Sequence, residues 1–157
     1  MKLLSIVFSF KNEEKNLPEL IERTAKSLSE LASWKYEMIF VNDCSTDKSE
    51  EILLKLQTKY PIRIVNMSRN FGVGPCVLAG FKLAKGDAIV YIDSDLQDPP
   101  EIIKELVKEH ENGAEVVHTV RTKRLGESKV KMFLTLVAYK VINFFSDIPL
   151  HVNAGDF

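Results

Sequence analysis

Asp93-Ser94-Asp95 is the stretch in which residue type and spacing first suggest chemistry. Two carboxylates separated by one residue can be presented from a single tight turn. A hard divalent cation takes oxygen ligands, commonly one or two carboxylates together with substrate phosphates. A cation held there would neutralise charge gathering on a departing diphosphate. An isolated Asp-x-Asp is most often a solvated acidic turn. This one follows a strongly apolar run over 88–92 and leads into Leu96-Gln97-Asp98-Pro99-Pro100, which puts it at the exit of a buried strand.

Other polar clusters occupy equivalent places: Asn12-Glu13 after an apolar run over 3–10, Asn42-Asp43 after 36–41, and Ser68-Arg69-Asn70 after 62–65. These runs read as strands, with a fifth over 114–120. Between them the apolar spacing turns helical. Leu17, Leu20, Ile21, Ala25, Leu28 and Leu31 predict a helix over 13–31 with Pro18 in its first turn. Ser45-Thr46-Asp47 opens a second helix through Ile52, Leu53 and Leu56, with Ser45 or Thr46 as N-cap. A third covers 77–84 and is closed by Gly86; a fourth covers 99–110 and ends at Gly113.

Strands alternating with helices at this interval predict an α/β domain, a mostly parallel Rossmann-like sheet flanked by helices on both faces. Ligands of such sheets sit beyond the carboxyl ends of the strands, where these clusters would converge.

The bulk properties fit one such domain of 157 residues, 45% hydrophobic and 27% charged. Lys and Arg number 21 against 22 Asp and Glu, a net charge of -1, which argues against a nucleic-acid binder. Cys44 and Cys76 make no disulfide framework and read as reduced thiols of a cytoplasmic protein. The N-terminal apolar run could pass for a short signal sequence, but it meets Lys11, Asn12, Glu13 and Glu14 with no small-residue cleavage site and is expected to be a buried strand. The segment 130–145 is apolar but interrupted by Lys131, Thr135, Lys140 and Asn143, too short and polar to span a bilayer. Composition alone favours a helix packed on the domain over one lying in a membrane interface.

The sequence resembles glycosyltransferase family 2, and within it the polyprenyl-phosphate sugar transferases: dolichol-phosphate mannose synthases and bactoprenol-phosphate glucosyltransferases. The matching stretches run in family order from Asn12-Glu13-Glu14-Lys15-Asn16-Leu17 through Val41-Asn42-Asp43-Cys44-Ser45-Thr46-Asp47, Ser68-Arg69-Asn70-Phe71-Gly72 and Ile92-Asp93-Ser94-Asp95-Leu96-Gln97-Asp98-Pro99-Pro100 to Asn153-Ala154-Gly155-Asp156-Phe157.

The resemblance implies a GT-A fold and an inverting transfer of a sugar from a UDP- or GDP-linked donor. Glu13 is similar to the acidic residue that meets the ribose, and Asp43 to the one that reads the nucleobase. Asp93 and Asp95 resemble the family's motif for Mg²⁺ or Mn²⁺, Asp95 being the more direct ligand and part of the catalytic set. Gln97 would lie beside the diphosphate, and Arg121 resembles a basic residue near the acceptor phosphate. Asp156 matches the family's catalytic or acceptor-site carboxylate. A polyprenyl phosphate is already largely ionised near neutral pH, so Asp156 would orient the acceptor and not remove a proton. The resemblance also turns 130–145 into an interfacial helix that brings the domain to the cytoplasmic face of a membrane.

Relatives in that branch continue past Phe157, so the whole chain reads as a nucleotide-sugar-binding catalytic domain shortened on its C-terminal side. Ser9 and Lys11 stand where the family usually has proline and tyrosine, Cys44 where it has glycine, and Val73-Gly74-Pro75-Cys76 replaces a stretch usually lacking proline. Cys44 is expected to keep its backbone out of glycine-only angles. A family 2 transferase with a saccharide acceptor, an inactive nucleotide-sugar-binding fragment and a nucleotidyltransferase are the competing readings.

Overall fold

The computed structural model describes residues 1–119. The chain divides into two units, Met1–Ala114 and Glu115–Phe157, and every element below belongs to the first. In order these are β1 (Lys2–Phe10), α1 (Leu17–Ser29), β2 (Trp34–Asn42), α2 (Ser49–Leu56), β3 (Ile62–Asn66), α3 (Val73–Leu83), β4 (Ala88–Tyr91), a 3-10 turn (Pro100–Ile102) and α4 (Ile103–Glu111).

The sheet is wholly parallel, in the order β3-β2-β1-β4. The chain moves outward from β1 to β3, then crosses back over the sheet to β4. Right-handed crossovers therefore put α1 and α2 on one face and α3 on the other. β1 is buried from Leu4 to Phe10 because both faces are covered, which is why it reads as a continuous apolar run. Phe8 stacks on Phe40 of β2, with ring centroids 4.6 Å apart, on the face away from α3. Val7, Ile39 and Val41 form the other face with Cys76 of α3.

Gly80 brings α3 down onto that face: a Cβ there would lie 2.3 Å from Val7 Cγ1. Gly86 serves a similar end and does not cap α3, whose last residue is followed by extended Ala84. A Cβ on Gly86 would lie 2.7 Å from the Ser5 nitrogen and 2.8 Å from the Leu3 oxygen, so only glycine lets the entry to β4 press against β1.

Several expectations need correction. α3 begins at Val73, not at 77, because Pro75 falls in its first turn, where a missing N–H costs nothing. Neither Ser45 nor Thr46 caps α2, which starts at Ser49 with Asp47 accepting the Ser49 N–H at 3.0 Å. The expected strand over 114–120 does not form in its described part, residues 114–119. Val116 and Val117 gain no ladder partner among the described residues, and an unpaired run does not hold strand geometry. Cys44 has φ 60°, so its backbone takes the left-handed turn even without glycine. Arg121, Asp156 and the 130–145 segment lie outside the described residues.

Candidate functional site

Beyond the carboxyl ends of β1, β2 and β4 lies a cleft of about 320 Å³. It opens where the strand order reverses, between β1 and β4, the usual ligand position in such a sheet. β1 contributes Ser9 and Phe10, and the loop after it Lys11 and Glu13. Asp43 follows β2, Val73 and Cys76 come from the start of α3, and Asp93, Ser94 and Asp95 follow β4.

Asp43 is 6% exposed and does two jobs. Its Oδ1 accepts the Phe71 N–H at 2.7 Å and its Oδ2 the Gly72 N–H at 2.9 Å. Gly72, at φ 87°, is the residue before α3, so Asp43 ties the end of β2 to the start of that helix. Burial works to raise the Asp43 pKa, but the two N–H groups, the Cys76 thiol and Lys11 outweigh it and hold the carboxyl below its ordinary value. Burial, then the Asp43 charge and hydrogen bond, pushes the Cys76 thiol up to about 11.

Glu13 is placed by an interlock of the loops after β1 and β2. Thr46 donates its N–H to Asn12 Oδ1 at 2.8 Å, and Asn12 donates to Ser45 Oγ at 3.0 Å. Glu13 donates its N–H to Ser49 Oγ at 2.9 Å, and Glu14 to Asp47 Oδ2 at 3.0 Å. Lys48 closes the set by donating to Glu14 Oε2 at 3.0 Å. Asn12 sits at φ 58°, a conformation its short amide tolerates. Ser45 and Thr46, read from the sequence as helix caps, instead hold the Glu13 loop. Asn16 reaches back to Glu13 Oε2 at 2.6 Å and fixes its carboxylate.

The acidic turn after β4 is pinned to the end of β1. Ser94 turns its hydroxyl inward to the Ser9 carbonyl at 2.9 Å, which leaves Asp93 and Asp95 on the cleft. Asp93 Oδ1 accepts the Tyr91 hydroxyl, whose pKa is raised by burial and by the carboxylate beside it. Asp95 Oδ1 accepts the Gln97 N–H at 3.0 Å across Leu96, which is at φ 61°.

The remaining oxygens, Asp93 Oδ2 and Asp95 Oδ2, accept no hydrogen bond among the described residues. Two carboxylate oxygens facing a cleft suit a hard cation that draws its other ligands from phosphates and water. Among the described residues no group of three or more His, Cys, Asp or Glu gathers to hold a metal. The cleft carries Glu13, Asp43, Asp93 and Asp95 against Lys11, so a bound cation would strengthen the hold on an anionic ligand.

Thus Glu13, Asp43, Asp93 and Asp95 line one cleft, whereas Gln97 is not among its lining residues and meets the site only through its N–H to Asp95. Sequence reasoning did not single out Ser9, Phe10, Val73, Cys76 and Ser94 as cleft residues. Period-two alternation could have found Ser9, which with Ser5 is a buried polar position on one face of a largely apolar strand.

The family model of glycosyl transferase family 2 matches residues 5–157. A prophage bactoprenol glucosyl transferase homolog of Escherichia coli (strain K12) is 36% identical over 98% of this chain and 50% of its own. An undecaprenyl-phosphate 4-deoxy-4-formamido-L-arabinose transferase of Photorhabdus laumondii is 43% identical over 79% of this chain and 38% of its own. The crystal structure of S. aureus TarS 1-349 in complex with UDP-GlcNAc is 26% identical, with a TM-score of 0.58 over 78% of this chain and 39% of that one. The chain spans about half the length of the curated relatives that it matches across 98% of itself.

Proposed function

This chain belongs to glycosyl transferase family 2, and from that membership we propose that it binds a nucleotide sugar in the cleft between β1 and β4 and moves the sugar to a polyprenyl phosphate, inverting C1. The observation that carries the reading is the pairing of two acidic ends in one cleft. Glu13 and Asp43 stand at the β1–β2 side, Asp93 and Asp95 at the β4 side. Glu13 would take the ribose and Asp43 the nucleobase, each keeping acceptor capacity beyond its internal bonds. Asp93 and Asp95 would hold Mg²⁺ or Mn²⁺ at the diphosphate. When bound, the ion neutralises the charge that the leaving diphosphate acquires.

An oxygen of the acceptor phosphate forms the new bond to C1 as the bond from C1 to the diphosphate breaks, and the nucleoside diphosphate departs. With a phosphate monoester as nucleophile, already ionised near neutral pH, no strong base is required. Asp156 and Arg121 would then orient the acceptor. The lipid acceptor is supported by the names of two relatives, one a bactoprenol glucosyl transferase homolog and one an undecaprenyl-phosphate transferase. Among the described residues no helix is long and apolar enough to cross a membrane. We propose that segment 130–145, with the charges of Lys129, Lys131 and Lys140 in and beside it, serves the approach to anionic lipid at the cytoplasmic face.

A thermal-shift panel of UDP, GDP and CMP with and without Mn²⁺ tests the donor site. A ligand at a hundred times its dissociation constant adds about 2.7 kcal/mol, or roughly 5–10 °C for a domain of this size. The expected result is a Mn²⁺-dependent shift for UDP or GDP that Asp95→Asn abolishes. No shift with any nucleotide from folded protein, or one indifferent to Mn²⁺ and to Asp95→Asn, overturns the reading.

A further inference from the structure

Tyr91 and Ser9 form a device around Asp93 that the residues of the acidic turn do not by themselves explain. The Tyr91 hydroxyl donates to Asp93 Oδ1. It also lies 3.0 Å from Ser9 Oγ. A phenol has one proton, and here it is spent on the carboxylate, so Ser9 must be the donor in the second bond. The hydroxyls therefore point in series, Ser9 to Tyr91 to Asp93. Each bond in such a chain polarises the next.

The same Ser9 uses its carbonyl to accept the Ser94 hydroxyl at 2.9 Å. One residue at the end of β1, only 7% exposed, thus fixes the residues on both sides of Asp93. Tyr91 has little freedom of its own. It is paired with Val7 in the β1–β4 ladder and packed against the cluster of Val7, Ile39, Val41 and Cys76.

We propose that Tyr91, oriented by Ser9, is a positioning residue that holds Asp93 with its Oδ2 toward the cleft, ready for a divalent cation at the diphosphate. The inference rests on the donor-site reading above. Partners of this kind, one step behind a metal ligand, typically set metal affinity by 10–100-fold. The Glu13 and Asp43 carboxylates bond to Asn16, Phe71 and Gly72 and not to Tyr91 or Ser9, so metal-free nucleotide binding on that side should be unaffected.

The test is isothermal titration of UDP, and of GDP, at a series of Mn²⁺ concentrations for the wild-type chain, Tyr91→Phe, Ser9→Ala and the double variant. Tyr91→Phe removes one oxygen and keeps the ring, and thermal unfolding checks that each variant is folded. The Mn²⁺ concentration giving half-maximal nucleotide binding should rise 10–100-fold in Tyr91→Phe, with metal-free nucleotide affinity unchanged. Ser9→Ala should raise it less, and should add nothing in the Tyr91→Phe background, since the two hydroxyls act in series. An unchanged Mn²⁺ midpoint in folded Tyr91→Phe overturns the positioning role, as do additive effects of the two substitutions. A fall in metal-free affinity matching the fall with metal assigns Tyr91 a general structural role and also overturns it. If wild-type protein binds neither nucleotide in a Mn²⁺-dependent way, the donor-site reading fails first and this inference falls with it.

Discussion

Asn12 and Thr46 lie 34 positions apart and are joined by a 2.8 Å hydrogen bond from the Thr46 N–H to Asn12 Oδ1. That bond belongs to a reciprocal set in which the loops after β1 and β2 satisfy one another's backbone. The backbone of Glu13, one residue on, is placed by this set, and its carboxylate by Asn16.

Asn12→Ala should therefore cost about 1 kcal/mol, because it removes a solvent-exposed hydrogen bond from the Thr46 N–H and loses the side chain best suited to φ 58°. Asn12→Gly restores the backbone but not the acceptor, and should cost less. Urea unfolding of the two variants separates backbone strain from the hydrogen bond. Both should weaken nucleotide binding by loosening Glu13.

Asp43→Asn should cost about 1–3 kcal/mol at neutral pH, since one of its two N–H donors would then face an amide N–H. The wild-type carboxyl titrates below its ordinary 3.8 when folded. The unfolded chain thus takes up this proton first, and the stability drawn from Asp43 is whole above about pH 4 and lost as pH falls through the folded value. Stability curves of the wild type and Asp43→Asn should separate at neutral pH and draw together in acid. Parallel curves down to pH 2 would assign the acid loss elsewhere.

Gly80→Ala should destabilise by about 1–3 kcal/mol, because the new methyl must displace Val7, which is fully buried. Val7→Ala in the same protein should recover part of that loss by opening the space. Chemical denaturation of the single and double variants measures the coupling. Additive losses would mean that the helix moves and the valine does not.

The two thiols should behave oppositely. Cys44 is exposed and Cys76 buried, and with a pKa near 11 only about a thousandth of Cys76 would be thiolate at pH 8. Iodoacetamide should label the native chain once, at Cys44, and twice in denaturant. Cys44→Gly should stabilise by up to about 1 kcal/mol, since φ 60° costs a side-chain-bearing residue more than glycine. Mass spectrometry and thermal unfolding follow each effect.

The parallel sheet and the acidic residues at its strand exits were legible because burial on both faces writes itself as apolar runs, and polar clusters mark where those runs stop. Glu13, Asp43, Asp93 and Asp95 were found in this way. Ser45 and Thr46 were misread because a hydroxyl just ahead of a helix suits a cap and a loop-to-loop bond equally well, and only the fold brings Asn12 near. Gly86 looked like a helix terminator; its actual constraint is the β1 backbone, 81 positions away, bonded through Ser5 Oγ. The Ser9–Tyr91 bond was invisible for the same reason, since nothing local ties residues 82 positions apart. The described part of the 114–120 run, residues 114–119, had strand composition but no strand partner among the described residues.

β1 is made first and completed last. Its bond from Ser5 to Glu37 spans 32 positions, whereas that from Leu3 to Asp87 spans 84. A chain emerging from the ribosome can close β1 on β2 and β3 early, but the other edge of β1 stays open until β4 arrives. The later closure adds little entropy by length alone, under about 1 kcal/mol for the extra residues. Its weight is kinetic, because long-range parallel pairing is slow and leaves an unpaired edge exposed to other chains. The acidic turn after β4 takes its place only when β4 pairs with β1, so the arrival of its carboxylates and the covering of that edge of β1 are one event.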